Sequence, residues 1–161
     1  MSQFKICAGL WILAFAAGCA THVSVMSTHR EDVGSQARVL AIAARNLEES
    51  IPRQRSGADE EEAGRSVIAF HAETEEFARA SARWLSEDNV DDRYETMIRA
   101  WVRMKHTFPN LKPDRLTQDS FDRVRHEWEA LARKAGYAGG KYERELDKNY
   151  RSAASEDRRS N

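Results

Sequence analysis

VIAFHAETEEFARASARW, residues 67–84, is the stretch from which the fold can be read. Val67, Phe70, Thr74, Phe77, Ser81 and Trp84 recur by alternating steps of three and four, and Arg and Glu fill much of the space between them. Steps of three and four return to one face of a 3.6-residue helix, whereas a strand needs a period of two. The stretch is therefore an amphipathic helix whose apolar seam must be buried against other helices.

The same seam continues in both directions. Toward the C terminus, Ser86 or Asn89 can cap a third segment in which Tyr94, Met97, Trp101, Met104 and Phe108 hold the spacing, helped by Ile98 and Val102, until Phe108-Pro109 ends it. Residues 110–117 contain Pro113 and turn formers and should cross one end of the domain. Asp119 then falls in the first turn of a fourth helix whose seam is Phe121, Val124, Trp128, Leu131 and Ala135, with Gly136 as its stop. Toward the N terminus, Pro52, Gly57 and the run Asp59-Glu60-Glu61-Glu62 interrupt the pattern, the acidic run being a solvated loop and first helical turn. Before them Val33, Ala37, Leu40, Ala44, Leu47 and Ile51 form a first helix, opened by the Thr28/Glu31 capping box. Four one-sided helices with short connections imply an all-α, antiparallel four-helix bundle over residues 28–138. Residues 139–161 read as a charged tail in which Tyr142, Leu146 and Tyr150 can make a short fifth helix, with residues 152–161 disordered.

Ahead of the bundle, Lys5 precedes an apolar run over residues 6–17, and the segment closes on the mostly small residues Ala14-Phe15-Ala16-Ala17-Gly18-Cys19. The run is too short to span a bilayer, which takes about 20 residues, and has the layout of a cleaved export signal. It resembles the lipobox of bacterial lipoproteins. That resemblance implies cleavage after Gly18 and acylation of Cys19, with residues 1–18 removed and residues 19–27 left as a lipidated tether. Ala20, where some diderm bacteria read Asp as a retention signal, favours the outer membrane. An ordinary secretory signal, cut at Ala14-Phe15-Ala16, is the alternative reading of the same residues. Cysteine usage fits lipidation: the second cysteine, Cys7, lies inside the removed segment, so no free thiol remains.

Loss of Lys5 leaves 24 basic against 26 acidic residues, a formal charge of −2, which speaks against a nucleic-acid partner. No phosphate loop, nucleophile elbow, Cys-x-x-Cys-His or Glu-x-x-His pattern occurs, so no catalytic, metal or cofactor residue is assigned. Trp84, Trp101 and Trp128 each take one seam position and read as core, their indole N–H groups needing only a nearby acceptor. His71, His106 and His126 with Met97 or Met104 are what a haem or copper site would have to use, and His71 with Glu75 shares a helical face. A second apolar stripe at Val39, Ala43, Ile68 and Ala72 could serve association between chains. The expectation is a lipid-anchored envelope protein that binds a protein partner without catalysis and without a cofactor. A periplasmic haem- or metal-binding bundle is the alternative.

Overall fold

Five helices carry the chain: α1 (Arg30–Ser50), α2 (Ala58–Arg83), α3 (Glu87–Thr107), α4 (Arg115–Ala135) and α5 (Ala138–Ser160), with a 3₁₀ turn, Phe108–Leu111, after α3. The computed structural model describes residues 30–51, 57–83, 87–135 and 138–160, and the side chains of all of these except residues 30, 31, 87–89, 138, 139 and 153–160. Thr28, Glu31 as a capping side chain, Trp84, Ser86, Asn89 as a cap and Gly136 lie outside what is described, as do residues 1–18, Cys19 and the tether.

Each seam faces inward. Val33, Leu40 and Leu47 of α1, Val67, Phe70 and Phe77 of α2, Tyr94, Met97 and Met104 of α3, and Val124 and Leu131 of α4 are all buried in one continuous core. Full burial of a side chain of this size contributes about 1.5–3 kcal/mol. Polar links set the register between neighbours. Gln36 donates to Glu127 Oε2 (2.8 Å) and Thr117 to the Ser50 carbonyl (3.0 Å), so numbering rises along α1 as it falls along α4. Ser66 and Thr107 hydroxyls meet at 2.6 Å in the interior, while Phe77 packs on Tyr94, so α2 and α3 also run oppositely. His71 on Glu48 orders α2 against α1 near one end, and Gly34 lies against the Ser81 backbone near the other.

α3 and α4 are different. Their backbones make almost no close approach, because large rings fill the space between them: Trp101 stacks on Trp128 (centroids 5.2 Å apart) and Phe108 on Phe121 (4.0 Å). α5 lies over this gap, in contact with both helices and running in the direction of α3, since Tyr142 meets Arg99 and Tyr150 meets His106.

Three expectations need correction. The fourth helix begins at Arg115, not near Asp119. Asp114, directly after Pro113, caps it: its carboxylate accepts the Thr117 N–H (2.8 Å), and its carbonyl takes the Gln118 N–H. The fifth helix is 23 residues long and continues through most of the segment expected to be disordered. Ala153 and Ala154 are strong helix formers, and no Pro or Gly follows them in the sequence to stop the helix. Of the second stripe, Val39, Ile68 and Ala72 are exposed, but Ala43 is part of the core.

Candidate functional site

The polar groups of the molecule converge where α5 crosses the aromatic gap. Trp101 and Trp128 are 2% and 3% exposed, too deep for water to satisfy their indole N–H groups, so each needs a protein acceptor. Glu143 of α5 serves both: Trp101 Nε1 donates to Oε1 at 2.9 Å and Trp128 Nε1 to Oε2 at 3.2 Å. Lys105 Nζ lies 3.4 Å from the first of these oxygens and 2.8 Å from Asp147 Oδ1, one helical turn further along α5. Asp147 also receives His106 Nε2 at 2.7 Å and Arg151 at 2.8 Å.

Burial works to raise the Asp147 carboxyl, but the hydrogen bonds and charges of Lys105 and His106 outweigh it and hold the group below its ordinary 3.8. Tyr94, on the core side of the same cleft, is pushed well above the ordinary phenol value by burial and secondarily by the Glu143 charge. Around this cluster Tyr142 accepts from Arg99 Nε (2.7 Å), the Tyr150 ring stacks on His106 (centroids 4.6 Å apart), and Leu146 packs partly buried against the core.

A second feature lies on the far side of α1. Val39, Ile42 and Leu116 are 39%, 60% and 74% exposed, and with Ala43, Asn46, Asp119, Ser120 and Arg123 they line a groove of about 590 Å³ between α1 and α4. Isolated exposed apolar residues are ordinary on protein surfaces. Three that line one groove form a local apolar patch with a polar rim.

The histidines singled out in the sequence go to three separate places. His71 joins α2 to α1, its Nδ1 2.6 Å from Glu48 Oε2 and its Nε2 3.3 Å from Glu75 Oε1 without hydrogen-bond alignment. Glu75 is turned instead to Arg45, whose hydrogen bond holds the carboxyl below its ordinary value. His106 belongs to the α5 latch, and His126 is exposed on α4. Met97 and Met104 are fully buried in the core. Among the described residues no group of three or more His, Cys, Asp or Glu side chains could hold a metal ion, and no helix is long and apolar enough to cross a membrane. Cys19 lies outside the described residues.

Sequence reasoning found the tryptophans and their need for an acceptor but missed the acceptor. The sequence held only part of the signal: Glu143, Asp147 and Arg151 follow Tyr142, Leu146 and Tyr150 by one residue each, which puts them beside the docking face without pairing any of them with an indole. No family model, curated protein or solved structure matches this chain.

Proposed function

We propose that this chain is a lipid-anchored cell-envelope protein that acts by binding a protein partner rather than by catalysis, tethered through acylated Cys19 and facing the periplasm, with the outer membrane favoured. The anchor rests on residues 14–19 and their resemblance to a lipobox. The binding role is carried by one structural observation: Val39, Ile42 and Leu116 leave an apolar groove open between α1 and α4, while the other large apolar side chains among the described residues, Ile68 apart, are buried or partly buried.

Each half has its own test. Radiolabelled palmitate should enter the wild-type chain and not Cys19→Ala, and label in neither would return the protein to simple secretion. A photo-crosslinking side chain at Ile42 should give one discrete adduct in intact cells, lost when Leu116→Asp is added. Absence of any adduct from a folded, anchored chain would remove the binding role.

The rival reading, a periplasmic haem or copper bundle, has to draw on His71, His106 and His126. The first two are engaged by carboxylates on different helix pairs, and the third is exposed on α4. Purified without chelators, the mature chain should be colourless and free of stoichiometric metal. A Soret band, or copper or iron at one per chain, would overturn the binding reading in favour of that rival.

A further inference from the structure

α1 to α4 cannot separate without exposing their seams, because every one of them contributes fully buried apolar side chains to a shared core. Among its described side chains α5 contributes none. Its apolar contribution is Tyr142, Leu146 and Tyr150, all only partly buried, and its other described side chains at the interface are charged. What it covers is a wide aromatic floor between two helices whose backbones stand apart.

That floor presents outward the two indole N–H groups of Trp101 and Trp128, the ammonium of Lys105, the imidazole of His106 and the guanidinium of Arg99. A ring surface edged by five donors, with no carboxylate of α3 or α4 bonded to those indoles, has the chemistry to receive an amphipathic helix that brings its own carboxylates. α5 shows the required pattern: aromatic, Glu, then Leu-Asp one turn later, then a second aromatic one turn beyond. Elements held by few buried apolar contacts open at lower free energy than the global transition. Helix-in-groove recognition reads anchors at this spacing.

We propose that the α3/α4 cleft is a helix-binding site and that α5 is its built-in, displaceable occupant, which a partner's amphipathic helix with aromatic, Glu, Leu-Asp, aromatic spacing replaces. The charges are complementary in that arrangement: the cleft offers cations and N–H donors, and the incoming helix offers two carboxylates on the docking side. This site is distinct from the α1/α4 groove, and the inference does not depend on the anchor.

The test uses the full mature chain and a fluorescein-labelled synthetic peptide of residues 138–160. Wild type should bind the peptide weakly, because its own α5 competes at high effective concentration. The double variant Glu143→Ala/Asp147→Ala, whose own α5 has lost its carboxylates, should bind it about tenfold or more tightly. A peptide carrying Glu143→Gln should lose most of that gain.

Equal affinity of the two chains, or no binding by a variant whose circular dichroism matches wild type, would overturn the proposal. So would a concentration-dependent dimer of the variant that excludes the peptide, since the occupant would then be a second copy. Should the variant fail to fold, hydrogen exchange on the wild type decides. Amides of residues 142–152 should exchange at least about a hundredfold faster than those of α3 and α4, as local opening at lower free energy requires. Equal protection would mean that α5 opens only with the whole bundle, and the proposal would fall.

Discussion

The two sides of α3 show two ways of holding a helix. Toward α2, α3 is fixed by interior packing, with Phe77 on Tyr94 and Phe70 on Trp101 and, among the described residues, only the Ser66–Thr107 pair supplying polar contact at depth. Toward α5 it is fixed by Glu143, Asp147 and the groups that surround them, with apolar contact confined to three half-buried side chains. Apolar burial is non-directional, insensitive to pH and roughly proportional to area. A charged, hydrogen-bonded contact has the opposite properties: it depends on geometry and protonation, and removing one partner strands the others. The bundle thus combines a frame that should unfold as a unit with a helix that can respond to conditions the frame ignores.

The largest expected effect lies on the frame. Phe70 is fully buried and touches both Trp101 and Trp128, so Phe70→Ala should cost about 3–5 kcal/mol in urea unfolding through lost transfer energy and a residual cavity. On α5, Glu143→Ala leaves two buried indole donors without their acceptor and should cost about 1–3 kcal/mol. The distinguishing feature is where that loss appears: tryptophan emission should shift before the far-ultraviolet signal of the frame does. If both signals move together for both variants, the frame and α5 form one cooperative unit and the contrast fails.

pH acts in opposite directions on two groups in particular, Asp147 in the α5 contact and Tyr94 in the core, whose shifts have opposite signs. Asp147 has its carboxyl depressed in the folded state, so its contribution is fully present above the ordinary value of 3.8 and is lost as pH falls through the depressed one. Tyr94 is raised above its ordinary 10.0, so its contribution is fully present below that value and is lost as pH rises toward the folded one. Protonation of Asp147 should therefore loosen α5 in acid, and ionisation of Tyr94 should destabilise the core in alkali. Asp147→Asn should remove the loosening that sets in as pH falls below the ordinary carboxyl value of 3.8, while leaving the alkaline transition in place, as followed by tryptophan emission and circular dichroism.

How much of this was legible in the sequence follows the same division. The seams of α1 to α4 were readable because apolar burial imposes a period, and every described seam residue named from that period is in the interior. The helix-four start was not, because Asp114 acts through a local side-chain cap that leaves no periodic trace, and Asp119 competes with it for the same role in the string. α5 was legible as three apolar positions but not as a latch. Nothing in a run of Lys, Glu and Arg says which carboxylate will lie opposite a buried indole, since that pairing joins residues 15 and 42 positions apart. The groove between α1 and α4 was half legible: Val39 stood out as a second-stripe residue, but Leu116 falls in a segment read as a connection.

The smallest predicted effect concerns the joint between the frame's two aromatic helices. Lys112 closes the 3₁₀ turn after α3 with φ at 46°, its N–H bonded to the Pro109 carbonyl at 3.1 Å. A left-handed conformation costs an L-residue with a Cβ about 1–2 kcal/mol, and Lys112 recovers little from its side chain, which is 85% exposed and lies 3.7 Å from Glu60. Lys112→Gly removes the steric term but adds chain entropy in the unfolded state, a cost of about 0.5–1 kcal/mol, so the net gain should be no more than about 1 kcal/mol. That gain belongs wholly to the frame. In urea it should raise the midpoint of the far-ultraviolet transition and leave the acid loosening of α5 at the same pH, widening the interval in which α5 is released from an intact bundle. A shift of the acid step together with the urea midpoint would mean that the turn and α5 are coupled through α3, and that the latch is sensed by the frame after all.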